Sequence, residues 1–200
     1  MMKGWFISAG LLASSYSVAV AATPISQLKF SDAGMEKCIN DSAAIYSTTE
    51  IEKLEFVQCS VQGPISLKGL GQLPKLSVLT IIGGEIHDID ALTDAKKLEM
   101  LMLSESSVPR FDKLTHHKLN LVLNKVQADD WRQLKQLHLS SISIQNSVDC
   151  AAYKPLANDD DFILLSPDIG AEAIAQGMRT SQQYPDKLLL MMDCPVDALK

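Results

Sequence analysis

The segment from Leu76 to Val108 constrains this chain more than any other, because it repeats itself. Leu76-x-x-Leu79-x-Ile81-x-x-Gly84-x-Ile86 returns as Leu98-x-x-Leu101-x-Leu103-x-x-Ser106-x-Val108, a period of 22 residues (98 − 76). Leu79, Thr80 and Ile81 alternate as a strand does, so Leu79 and Ile81 point to one side while Val78, Thr80 and Ile82 point to the other. Gly83 and Gly84 allow a tight turn out of that strand, and Ile86, Ile89 and Leu92 bring the chain back over the same core. One such unit cannot bury its own apolar side, so neighbouring units must stack. The template fits upstream at Ile51-x-x-Leu54-x-Phe56-x-x-Cys59-x-Val61. Downstream it fits at His116-x-x-Leu119-x-Leu121-x-x-Asn124-x-Val126 and at Leu134-x-x-Leu137-x-Leu139-x-x-Ile142-x-Ile144. The steps between starts are then 25, 22, 18 and 18 residues, and Asn124 is the one asparagine in the small-or-amide column.

This pattern resembles the leucine-rich repeat family over residues 51 to 146. Ile86-His87-Asp88-Ile89-Asp90-Ala91-Leu92 is similar to the I-x-D-I-x-x-L segment of bacterial internalin-type repeats. The resemblance implies an α/β solenoid with a parallel sheet on its concave face and capping elements at both ends. The expected organisation is a signal peptide over 1–22, an amino-terminal cap over 23–50, about five repeats over 51–149 and a carboxy-terminal β-α-β cap over 150–200.

The flanks fit that plan. Lys3 precedes an apolar stretch, Trp5 to Val20, and Val20-Ala21-Ala22-Thr23-Pro24 supplies the small residues of a cleavage site. Export to the periplasm or medium follows, with no membrane insertion after cleavage. Removing 1–22 takes away one lysine and changes the net charge from −6 to −7, which disfavours nucleic acid as a partner. The four cysteines all lie in the mature part and suit structural disulfides; three pairings are open to them. Phe30 to Ile39 resembles the amino-terminal cap of internalin-like proteins, with Ser31 or Asp32 as helix N-cap and Met35, Cys38 and Ile39 on one face. On that resemblance Cys38 pairs with Cys59 in the first repeat. Beyond Cys150, Phe162–Leu165 and Leu188–Met192 read as strands around a helix over Gly170 to Gln183, with Cys150 joined to Cys194.

No catalytic constellation emerges. His116 and His117 have no metal ligand at suitable spacing, Asp159, Asp160 and Asp161 lack an EF-hand frame, and Asp129 and Asp130 suit the first turn of a short helix. No serine lies in G-x-S-x-G or S-x-x-K, and the glycine pairs form no phosphate loop. The chain is therefore expected to be a non-enzyme with no cofactor and no metal.

What remains is the outward face of the strands. Its expected columns are Lys53, Val78, Met100, Lys118, Gln136; then Glu55, Thr80, Met102, Asn120, His138; then Val57, Ile82, Ser104, Val122, Ser140. Val57, Val78, Ile82, Met100, Met102 and Val122 would form an apolar patch of the kind that marks an interaction site, with Thr80, Asn120 and His138 beside it. The resemblance implies protein recognition, and the narrower version is an inhibitor or immunity protein against an envelope-targeting toxin. Competing readings are a hydrolase assembled from scattered Ser, His and Asp residues, a structural subunit of an envelope complex, and coverage of the face by the carboxy-terminal segment or by a second copy in a homodimer. Peptide mapping without reduction is expected to return Cys38 joined to Cys59 and Cys150 joined to Cys194; a Cys38–Cys150 peptide would break the two-cap plan.

Overall fold

A computed structural model describes residues 22–115, 118–145, 149–158, 160–166, 179–180, 183–184 and 187–199. The expected signal peptide up to residue 21, His116, His117 and Asp159 lie outside the described residues, as does most of the helix expected over 170–183. The fold is mixed α/β. Its strands are β1 (Phe56–Ser60), β2 (Pro64–Ile65), β3 (Val78–Ile82), β4 (Glu85–Ile86), β5 (Met100–Ser104), β6 (Leu119–Asn124), β7 (Leu139–Gln145), β8 (Phe162–Leu165) and β9 (Leu188–Met192). Seven of them form one parallel sheet in the order β1-β3-β5-β6-β7-β9-β8, and β2 pairs with β4 in a separate ribbon.

The pairing register builds the core in rows. Val57, Leu79, Leu101, Leu121 and Ile142 lie opposite one another along the sheet, and Cys59, Ile81, Leu103, Leu123, Ile144 and Met192 form the next row. All of these are buried. Each fully buried Leu or Ile is worth about 1.5–3 kcal/mol, realised only when the neighbouring strand supplies the other wall. Behind the sheet, short helical segments at Leu70–Gln72, Ile89–Asp94, Phe111–Lys113, Trp131–Gln136 and α2 (Lys154–Ala157) lie successively against one another. They bury Leu70, Leu92, Phe111, Leu134 and Leu156. The rings of Phe111, Trp131 and Tyr153 follow each other at centroid distances of 5.9 and 4.8 Å. Tyr153 and Leu156 thus extend the back of the stack past Cys150, where the sequence template stops matching.

The spacing between strands corrects the expected steps. Phe56 pairs with Val78, Val78 with Met100, Met100 with Asn120 and Asn120 with Ser141, so the steps are 22, 22, 20 and 21 residues. Leu54, fully buried, begins the first unit in place of Ile51. Three successive turn residues that follow the strands adopt positive φ: Gly83 at 78°, Glu105 at 53° and Lys125 at 52°. Gly83 is needed for space as well, since a Cβ there would sit 2.4 Å from the Val61 carbonyl oxygen. Asn124 does not occupy the small-or-amide column; it ends β6 opposite Ser104. Buried Ser106 does stand at that column, as expected, with its hydroxyl 2.8 Å from Gly83 O and 2.9 Å from Ser104 O. Asp88, from the I-x-D-I-x-x-L segment, ties its unit to the one before. Its carboxylate accepts from Leu67 N at 2.9 Å and from Ser66 Oγ at 2.5 Å.

Each end of the sheet is finished differently. Helix α1 (Ala33–Ile45) is capped by Asp32, which accepts from Met35 N at 2.8 Å through Oδ1 and from Ser66 N at 3.1 Å through Oδ2. Parallel edge strands leave backbone groups unpaired on one side. Ser42 of α1, fully buried, accepts from Gln58 N at 3.0 Å and donates to Gln58 O at 3.1 Å, so it stands in for a neighbouring strand. The Cys38–Cys59 disulfide joins the same helix to β1. At the far end, β9 enters between β7 and β8, and Cys150–Cys194 closes the loop behind them. The two expected closing strands therefore extend the main sheet. Replacing Ser42 by Ala removes both of these hydrogen bonds to the Gln58 backbone, and urea unfolding is expected to lose about 1–3 kcal/mol relative to the unaltered protein.

Candidate functional site

The alternation that buries one side of each strand turns the other side outward, and the register fixes which side chains meet there. One outward row runs Phe56, Val78, Met100, Asn120, Ser141, Leu189, Ile163; the next runs Gln58, Thr80, Met102, Val122, Ser143, Met191, Leu165; a third runs Ser60, Ile82, Ser104, Asn124, Gln145. None of these residues is charged, in a chain whose composition is 21% charged. Val78, Thr80, Ile82, Met100, Met102, Asn120 and Val122 are all half-buried. None of the apolar ones joins the buried core cluster on the opposite side of the sheet.

Most of the expected face is brought together, with corrections at β1, β6 and β7. Val57 is not on it: it is buried opposite Leu79, and Phe56, 44% exposed, takes the outward place. Lys53 and Glu55 leave the expected columns for the same reason, since both precede β1. His138 is exposed but stands before β7, in an open cleft of about 920 Å³ shared with Lys118, Lys135, Asp161 and Lys187 at the starting ends of the strands. Gln136 likewise precedes β7, and Ser140 falls in its irregular stretch, where the pairing shifts by one residue between Leu119 and Asn120. Because β6 sits two residues from its expected register, Asn120 lies beside Met100 and Val122 beside Met102. The closer packing of Met100, Met102 and Val122 makes the apolar centre more continuous than the expected columns did.

Asn120 is held in place by the backbone as well as by its neighbours. Its Nδ2 donates to Glu99 O at 3.2 Å, and its Oδ1 accepts from Ser141 Oγ at 2.8 Å, so one side chain spans the joins from β5 to β7. The face is thus divided: an apolar part on β3, β5 and β6, a band of Ser141, Ser143 and Gln145 on β7, and a second apolar part on β9 and β8. No protein-family model and no curated protein matches this chain. The arrangement has to be read from its own chemistry.

That second apolar part, half-buried Leu189, Met191 and Ile163 beside the buried Leu165, is absent from the sequence-based face. Runs such as Leu188-Leu189-Leu190-Met191-Met192 are apolar at both parities, a pattern that fits a strand wrapped on both sides as well as one whose second side forms part of a surface. At the end of β7 and β9, Gln145, Leu165, Met191 and Asp193 line an open cavity of about 350 Å³. Among the described residues no group of three or more His, Cys, Asp or Glu side chains is placed to hold a metal ion. The shifted carboxylates lie elsewhere. Hydrogen bonds from Arg110 and Arg132 hold the Asp112 and Asp130 carboxyls below their ordinary range, the first within Phe111–Lys113 and the second at the N-cap of Trp131–Gln136. Asn120→Ala is expected to cost about 1–2 kcal/mol in denaturant unfolding. Combined with Ser141→Ala it should cost less than the sum of the two, because the pair shares one hydrogen bond.

Proposed function

We propose that this chain is an exported leucine-rich repeat module, a short capped solenoid, that recognises a protein through the concave, outward face of its sheet. The observation that carries this reading is the make-up of that face: an uncharged, apolar-centred surface of Val78, Ile82, Met100, Met102 and Val122, on strands whose other side is already committed to the core. Contiguous apolar surface on a water-soluble domain is costly unless something covers it, and such patches mark interaction sites. Methionine lets the surface adjust to its partner. Rows of equivalent residues at steps of 20 to 22 support the repeat reading. Two disulfides support export, and no described helix is long and apolar enough to cross a membrane. The module acts by binding and not by catalysis in this reading.

The test is capture from an envelope extract by the purified protein and by two variants. Met102→Asp places a charge at the centre of the apolar surface and is expected to abolish retention of a stoichiometric partner, about a hundredfold or more in affinity, while the melting temperature stays put. Lys97→Glu, an exposed change away from the sheet, should leave capture intact. Retention that survives Met102→Asp would remove the sheet face from consideration.

A further inference from the structure

The amino-terminal segment carries an arrangement that the sheet face does not use. From Thr23 onward the backbone is pinned to residues 49–52. Thr23 O accepts from Ile51 N at 3.0 Å, Ile25 N donates to Thr49 O at 2.9 Å, and Pro24 bridges Glu50 in antiparallel fashion. Ala22 is exposed and Thr23 is half-buried. At this boundary Thr23 N lies 3.3 Å from Glu52 Oε1 and 3.2 Å from Glu52 Oε2. A peptide N–H is a single neutral donor, yet here it faces both oxygens of a carboxylate. The other acid of this turn is engaged elsewhere: Glu50 Oε1 holds Lys53 Nζ at 2.9 Å.

We propose that the Ala22–Thr23 bond is a processing site and that the amine released there is clamped by Glu52. The inference rests on the export reading for its first half. A peptidase that accepts small residues before the scissile bond, as Val20-Ala21-Ala22 provides, adds water across the amide. The Ala22 carbonyl carbon takes the water oxygen and departs as a carboxylate; the bond to nitrogen breaks, and both water protons end on Thr23 N as an ammonium. One neutral donor becomes three donors with a full positive charge, set between two oxygens already in place. Charge-assisted hydrogen bonds of this kind are shorter and stronger than neutral ones. Glu52 is prepared for the role: hydrogen bonds from its own backbone N–H and from Thr23 hold its carboxyl below the ordinary range. Processing therefore completes the amino-terminal cap, and the precursor lacks this ion pair.

The experiment is intact-mass measurement of the exported protein, followed by ¹³C reductive methylation and NMR titration of its amino terminus. The mass is expected to place Thr23 first. Its amine should titrate about half a unit or more above the ordinary α-amino value of about 8, and Glu52→Gln should bring it back, with unchanged melting showing that the variant is folded. An amino terminus at another residue overturns the processing site and, if no cleavage occurs at all, the export reading with it. Cleavage before Thr23 with an amine that Glu52→Gln leaves unmoved overturns the clamp alone and spares export.

Discussion

Everything in this structure depends on the fact that no strand unit buries its own apolar side. Leu79 and Ile81 are fully enclosed only because Leu101 and Leu103 stand in register on one side and Val57 and Cys59 on the other. Burial is therefore a property of neighbours, as in any stack whose units contact only those adjacent. Internal units obtain both walls from the same pattern. The two end units cannot, so the chain spends different chemistry there: a buried serine and a disulfide at β1, two further strands and a second disulfide beyond β7.

The core was legible in the sequence where apolar and polar residues alternate without interruption. Between Leu76 and Val108 the expected inward and outward residues are those found. Elsewhere, parity alone was insufficient. Phe56 and Val57 are adjacent and both apolar, so either can be taken as the inward residue; Leu54 at the start of the unit and Cys59 beside Cys38 settle the choice in favour of Val57. In β6, Leu119, Leu121 and Leu123 alternate over three inward positions, and a slip of two residues leaves every side chain on its correct face while moving it along the row. In β7 the irregularity at Ser140 changes the phase between Leu139 and Ile142, and a fixed template carries His138 and Ser140 to the wrong side of that change.

The outward face was legible in its centre and invisible at its far side. Polar residues alternating with apolar ones announce a half-covered strand, as in Asn120 and Asn124 against Leu119, Leu121 and Leu123. The runs at 162–165 and 188–192 contain no such contrast, so nothing in them separates a strand wrapped on both sides from one whose second side forms part of a surface. Polar side chains also carry two duties that sequence does not distinguish. Asn120 lies on the candidate site, yet its amide is bound to Glu99 and Ser141, so its place in the surface and its part in joining strands are the same contact seen twice.

The order β7-β9-β8 sets a constraint on how this end of the molecule comes into being. Among the described strands β8 has one neighbour, β9, and β9 also covers the free side of β7. A chain that emerges amino terminus first can add β3, β5, β6 and β7 to the growing sheet one after another, each docking on a finished neighbour. β8 then arrives with no place to go, because the slot beside β7 belongs to a strand still to come. Until Leu188–Met192 is inserted, the growing edge of β7 stays open and Phe162–Leu165 waits, so the last strand added is also the wedge that locks the one before it.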